Sequence, residues 1–407
     1  MTFPEKKIKI IYIHHDGYIS GSAISLHNLL SKLDKKLIEP HVIICSDGPA
    51  RLFFENLGIP VYIVNYKPFV TQPTPSIFNS DFYYNLGALF NKNNIAPLLE
   101  LIKPDLIHIN DKSALIPGRD CSKLGYKVVW HLRSSYCGKK SYLLYVISRN
   151  IIKKHSHHLI SISEDELDGF ENYKNFSIIY NSIDIEIAKA SRDNYQVFRN
   201  EFEIKHDEIA IGMIGNLDAQ KGAWNFIKAI KILEENNKIL KFKFFIIAPI
   251  LKGLNFGWRG KLKLIDTRTG FERAVIMLKK YDLEKKVVFT DRRNDILTVM
   301  AGLDIVSAVY NMNAIGRPGF EAASVSRPVV VNKGHTGKSK VVLNGKTGFC
   351  IEKENPQKLA DIFLKLASDK NLRMQISKNA EQYAFDNFNS NLNTIKIQNL
   401  YFKILKN

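Results

Sequence analysis

The sequence predicts an α/β fold built as two doubly wound, parallel-sheet domains. Three observations lead there. Short apolar, β-branched runs recur between amphipathic stretches of helix length, as expected for strands buried on both faces and joined by helical crossovers. The series pauses once, after Asp184, through a polar stretch, and then restarts. Finally, 407 residues exceed one ordinary core and fit two of roughly 150–200 residues each.

In chain order, IKIIYIH opens the first domain as a strand. HHDGYISGSAISLHNLL (14–30) then passes through a Gly-bearing loop into a helix with Leu26, Leu29 and Leu30 on one face. Gly21 and Ser22 are small enough there to let an anion approach backbone N–H groups at the helix start, although a plain strand-to-helix turn uses the same letters. The stretch is not G-x-G-x-x-G, so a nicotinamide fingerprint has no support. HVIIC, VYIV and DLIHI follow as strands, and then VVWHLRSS (128–135), whose final residues expose His131 and Arg133. Carboxyl ends of parallel strands face the crevice where α/β proteins bind ligands; an ordinary hydrogen-bonded histidine explains His131 equally well. KKSYLLYVISRNIIKKHSHH (139–158) holds five Lys or Arg and no acid, interleaved with apolar residues at helical spacing. It suits an anionic membrane surface and, equally, a core-facing helix with a solvated basic side. HLISIS and FSIIY complete the first series.

The polar stretch IEIAKASRDNYQVFRNEFEIKHDE offers no clear strand. EIAIGMIG, FKFFIIAP, KVVFTD, DIVSAV and RPVVV then alternate with helical segments such as WNFIKAIKILEEN. The cleft between two such domains is the default place for a ligand. After the first of these strands comes the turn Gly215-Asn216-Leu217, with Lys221-Gly222 opening a helix. A lysine is a compact point charge, and a helix start already favours anions; a surface lysine at a turn is the plainer account. LKGLNFGWRGKLKLIDTRTG (251–270) is long, basic and Gly-rich, fitting a loop over the cleft or a surface insertion. In NMNAIGRPGFEAASVSRPVV (311–330), Pro318 suits the first turn of a helix because its missing N–H has no intrahelical partner there. Ala314, Ile315, Gly316 and Arg317 therefore present backbone donors beside a guanidinium. Glu321 is placed to accept hydrogen bonds from vicinal hydroxyls, or simply to complement the helix dipole at about 0.3–1 kcal/mol. Helical patterns from about Asn371 to Asp386 and Ser390 to Leu405 end the chain.

Composition narrows the function. The formal charge of +18 attracts polyanions, anionic lipid or phosphorylated substrates. The basic residues are scattered, without an arginine-rich tail or a ribonucleoprotein-type aromatic motif, so no nucleic-acid partner is expected. Cys45, Cys121, Cys137 and Cys350 form no Cys-x-x-Cys pair, which points away from zinc and disulfides and toward a reducing, cytoplasmic setting. No run reaches about eighteen apolar residues, so an integral membrane protein is not expected.

Taken in order, these stations resemble the retaining glycosyltransferases of family 4, whose GT-B fold sets two Rossmann-like domains around a central cleft. That family's donor turn, commonly Gly-Arg-Leu and then Lys-Gly, is similar to Gly215-Asn216-Leu217 and Lys221-Gly222. Its Glu, seven residues, Glu-Ala, then Gly-x-Pro-Val-Val resembles Asn313 to Glu321-Ala322 and Ser326-Arg327-Pro328-Val329-Val330. NSID (181–184) and NGKTGF (344–349) look like the turn before the interdomain linker and the closing turn. The resemblance implies domains at 1–185 and 208–386, a linker at 186–207, and a helix at 387–407 crossing back onto the first domain. It implies that Lys221 holds the donor diphosphate, Glu321 the ribose hydroxyls, and the backbone of Ala314, Ile315, Gly316 and Arg317 the phosphates and sugar. His131 matches the histidine beside the transferred sugar, Gly21 and Ser22 the loop near the diphosphate, and Arg133 the acceptor side.

Three positions depart from the pattern. Asn216 replaces the usual Arg, removing a charge-assisted contact for which Arg317 is a candidate substitute. Asn313 replaces the first Glu and offers the sugar an amide, and Lys340 stands where an acid is frequent. By the resemblance, a nucleotide-sugar is the co-substrate, no cofactor is required, and the acceptor is a glycan or lipid-linked glycan of surface polysaccharide, reached by a peripheral contact with anionic membrane. With no Asp-x-Asp, no metal bound through that motif is expected. The competing reading is a GT-B protein that binds a nucleotide-sugar without efficient transfer; a nicotinamide oxidoreductase is disfavoured by the missing fingerprint.

Overall fold

The computed structural model describes residues 6–70, 80–135, 143–218, 220–236, 240–250 and 269–406. The chain divides into two compact units, residues 1–184 with 387–407, and residues 185–386. Cys137, residues 139–142 of the basic run and residues 251–268 of the Gly-rich segment lie outside the described residues.

The first unit carries a seven-stranded parallel sheet: β1 Ile8–His14, β2 Ile38–Ile44, β3 Val61–Ile63, β4 Leu106–Asn110, β5 Val128–Leu132, β6 His158–Ser161 and β7 Phe176–Ile178. Its order is β3-β2-β1-β4-β5-β6-β7, so the winding reverses between β1 and β4. Register puts His14 beside Asn110, and Asn110 beside His131, in one row at the carboxyl edge. Because neighbouring side chains alternate faces, one apolar layer holds Ile11, Ile13, Ile107, Ile109 and Trp130. The other holds Ile10, Tyr12, Leu26, Leu30 and Val129, together with Ile397 and Tyr401 from the helix Ser390–Lys406. That helix is part of the first unit's core, each buried side chain contributing about 1.5–3 kcal/mol.

The second unit carries a six-stranded parallel sheet: β8 Glu208–Ile214, β9 Lys241–Ile247, β10 Val287–Thr290, β11 Ile305–Ala308, β12 Val329–Asn332 and β13 Phe349–Ile351. Its order is β10-β9-β8-β11-β12-β13, reversing between β8 and β11. Every apolar run of the sequence contributes a strand. β13 is an addition, three residues long and too brief to register as an apolar run. The polar stretch after Asp184 forms the helices Ile185–Asp193 and Gln196–Glu201 of the second unit.

The helix Leu143–His155 buries Leu144, Tyr145 and Ile152 and carries Lys153, Lys154 and His155 in its last turn, where they complement the dipole. Among the described residues no helix is long and apolar enough to cross a membrane.

Candidate functional site

In the second unit the site grows from the reversal between β8 and β11, the place where open α/β sheets take ligands. β8 ends at Ile214, and the chain turns at Gly215, passes the exposed Asn216 and reaches Lys221. Asp218 Oδ1 accepts from the Lys221 backbone N–H at 2.7 Å and closes this turn. Gly222 follows with φ +73°, and a Cβ there would collide with the carbonyl of Val309. Only glycine lets the Lys221 turn sit this close to the end of β11.

Tyr310, just beyond β11, organises what surrounds it. Its hydroxyl donates to the Ile214 carbonyl at 2.7 Å, and its backbone N–H donates to Asn332 Oδ1 at 3.2 Å. The Lys221 ammonium lies 4.4 Å from the ring centroid, a cation–π contact, and 3.3 Å from Met312 Sδ. Burial lowers the Lys221 pKa, and Asp218 partly opposes this. A Cβ on Gly316 would strike the Tyr310 ring, so the loop before Pro318 lies directly against it. Glu321 is close enough to push the Tyr310 hydroxyl further up, a smaller effect than burial. Lys221, Gly316 and Glu321 thus converge on one side chain.

The loop of residues 311–317 is pinned from below. Asn332, fully buried at the end of β12, donates from Nδ2 to the carbonyls of Met312 and Ala314, at 3.2 and 3.3 Å. Asn313 Oδ1 accepts from Lys353 Nζ at 2.9 Å, so a cation stands beside the amide that replaces the expected acid. Arg317 turns onto Glu321: its Nε and Nη2 lie 2.9 and 2.7 Å from the same oxygen, Oε1. Glu321 Oε2 makes no hydrogen bond among the described residues. Pro318 occupies the first turn of the helix Pro318–Ser324, as its fixed φ favours. The Lys340 carbonyl accepts from the Tyr383 hydroxyl at 2.6 Å.

In the first unit Gly21 and Ser22 open the helix Gly21–Ser31, capped by Ser20. They connect to Arg133 through Asn110. The Arg133 Nε donates to Asn110 Oδ1, which fixes the amide so that Nδ2 donates to His14 Nδ1 at 2.9 Å and to the Ser22 carbonyl at 3.2 Å. Arg133 Nη1 also donates to Asn181 Oδ1 at 2.6 Å, tying in the NSID turn. Because Asn110 donates to Nδ1, the neutral His14 ring carries its proton on Nε2, 3.3 Å from Asp16 Oδ1. Burial lowers the His14 pKa to about 4, more than Asp16 raises it. His14, His15 and Asp16 are the one grouping among the described residues with metal-ligand proximity. At 3.3 Å from Asp16, His14 Nε2 meets no hydrogen-bond partner among the described residues, and as the protonated nitrogen of this tautomer it offers no lone pair to a cation.

His131 is placed differently from Arg133. It is 2% exposed, and its Nδ1 lies 3.2 Å from His108 Nε2 on the face covered by the helix Ser390–Lys406. Burial, aided by Arg133 and His108, holds its pKa well below the ordinary histidine value.

Sequence reasoning passed over Tyr310, Asn332 and Lys353 in the second unit and His14 and Asn110 in the first. Tyr310 and Asn110 end or follow strands at the reversal points, the same signal that singled out His131.

Residues 19–187 match the family model described as Glycosyltransferase Family 4, and residues 194–383 the one described as Glycosyl transferases group 1. An uncharacterised glycosyltransferase of Methanocaldococcus jannaschii is 23% identical over 414 residues, covering 94% of this chain and 95% of its own length. The capsular polysaccharide biosynthesis glycosyltransferase CapM of Staphylococcus aureus is 23% identical over 231 residues, 54% of this chain and 53% of that protein. Among solved structures, Anabaena HepE in complex with UDP and glucose has a TM-score of 0.75 at 21% identity, covering 97% of this chain and 100% of that one. WaaG, a glycosyltransferase involved in lipopolysaccharide biosynthesis, has a TM-score of 0.64 at 15% identity, covering 97% and 99%. With both units matched in order and the architecture shared, the chain belongs to the glycosyltransferases of group 1 and family 4, and its fold is GT-B.

Proposed function

We propose that this glycosyltransferase moves a sugar with retention from a nucleotide-sugar to a glycan or lipid-linked acceptor of a surface polysaccharide. The observation that carries the donor assignment is the convergence of Lys221, Gly316 and Glu321 on Tyr310. Lys221 binds the diphosphate, Glu321 accepts from the ribose hydroxyls through Oε2, and the backbone of residues 314–317 faces phosphate and sugar with Asn313 beside it. For the first unit we assign Gly21 and Ser22 to the diphosphate, His131 to the transferred sugar and Arg133 to the acceptor. The acceptor oxygen bonds to the anomeric carbon on the face the phosphate leaves. The carbon–oxygen bond to the diphosphate breaks, and the acceptor proton passes to a phosphate oxygen. Charge building on the leaving group is what the cationic and N–H donors stabilise.

The HepE structures contain UDP, UDP-glucose, or UDP with glucose, which makes UDP-sugars the first donors to try. Thermal shifts with UDP, GDP, ADP and their sugars, followed by a product assay with lipid-linked acceptors, test the assignment. A shift with no nucleotide overturns it. A second reading, binding without turnover, is favoured by the engagement of Arg317 with Glu321, which occupies the guanidinium offered as a substitute for the arginine expected at Asn216. A nucleotide shift with no product from any acceptor supports that reading.

A further inference from the structure

The ring of His131 sits at the end of a buried chain of hydrogen bonds that starts on the helix Ser390–Lys406. The Tyr401 hydroxyl lies 2.7 Å from His108 Nδ1, and His108 Nε2 lies 3.2 Å from His131 Nδ1. All three side chains are between 0 and 2% exposed. A buried hydroxyl keeps its proton and gains by placing it on an acceptor within reach. The Tyr12 ring packs edge-on against Tyr401 with centroids 6.4 Å apart, but the Tyr12 hydroxyl meets no partner in hydrogen-bond geometry among the described residues, so the Tyr401 proton is directed to His108 Nδ1, 2.7 Å away. Each later link follows from the inventory of a neutral imidazole, one donor and one acceptor. His108 accepts at Nδ1 and so donates from Nε2; His131 accepts at Nδ1 and so carries its proton on Nε2. That nitrogen has no partner among the described residues, and the ring lines a small cavity together with Arg133, Asn181 and Thr394. Arg133 presses the same way, since its charge disfavours a second proton on either histidine, after burial itself.

We propose that Tyr401 and His108 are positioning residues that fix His131 as its Nε2–H tautomer, so that His131 serves the transfer reaction as a hydrogen-bond donor and never as a base. This rests on the assignment of His131 to the transferred sugar. The relay itself is tested without that assignment, by nitrogen-15 NMR of histidine-labelled full-length protein. In the wild type, His131 Nε2 should give a protonated-nitrogen signal and Nδ1 an unprotonated one. Tyr401→Phe removes one hydroxyl and should turn both rings into tautomer mixtures, lowering kcat several-fold with the donor KM unchanged. Adding His108→Gln to Tyr401→Phe, so that an amide N–H replaces the Nε2 donor, should restore the wild-type His131 signals. An unprotonated Nε2 in the wild type, which needs no variant to observe, overturns the relay, as does a Tyr401→Phe protein with unaltered signals. Full turnover in His131→Ala instead removes the role of His131 while the wild-type NMR pattern stands, so the two failures are distinct.

Discussion

The ammonium of Lys221 stands 4.4 Å from the centre of the Tyr310 ring and has no ion pair among the described residues. A cation–π contact contributes about 0.5–2 kcal/mol, whereas two unit charges 4 Å apart near a protein surface interact by about 4 kcal/mol. A diphosphate therefore outcompetes the ring. Lys221→Ala is expected to abolish nucleotide-dependent thermal stabilisation while leaving the melting temperature of the free protein nearly unchanged. Wild-type affinity in that variant would falsify the diphosphate role.

Glu321 carries Arg317 on one oxygen and is proposed to meet ribose with the other. Removing a charged hydrogen bond costs about 1.5–3 kcal/mol, or roughly 10- to 100-fold in affinity. Glu321→Ala should lose that factor for the nucleoside diphosphate and little for inorganic pyrophosphate, measured by calorimetry. Equal losses for both ligands would place the carboxylate at the phosphates instead.

Gly222 has φ +73°, and a methyl group there meets the Val309 carbonyl. The left-handed backbone alone costs an alanine about 1–2 kcal/mol, before any clash. Gly222→Ala should lower the melting temperature by several degrees and weaken nucleotide binding together with it. An unaffected melt would mean that the Lys221 turn relaxes freely.

Glu166 is buried, and its pKa rises from 4.5 to about 7 because burial disfavours the charged form, more than Ser163 and Lys112 favour it. The folded state thus holds its proton more tightly than the unfolded state does. Stability from this group is full below about pH 4.5 and is lost as pH rises to about 7, a change of about 3 kcal/mol. Denaturant melts of wild type and Glu166→Gln should show the wild type losing stability relative to the variant across that window. Parallel pH profiles would show that the carboxyl titrates normally.

Sheet architecture was legible because buried parallel strands are written as apolar runs, and the two reversals follow from having two such series. The Lys221 and Glu321 stations were legible as turn chemistry. Tyr310 was not, because an aromatic residue ending an apolar run reads as one more core residue. Asn332 was hidden for a different reason: its pinning of the 311–317 loop depends on which strand neighbours which. Arg317 read as a spare cation for the diphosphate, and only the side-chain geometry shows it engaged with Glu321. His131 read equally as a crevice residue or an ordinary hydrogen-bonded one, and only the pairing of β5 with β4 brings it to His108.

Ile397 and Tyr401 complete the core of the first unit, yet ribosomes make them after the whole of residues 185–386. During synthesis the amino-terminal sheet must wait with one apolar flank uncovered, and its histidine pair stays unanchored until the final helix docks. Folding order here runs against translation order, and a ribosome stalled before Ile397 holds a nascent first unit that cannot yet set the proton of His131.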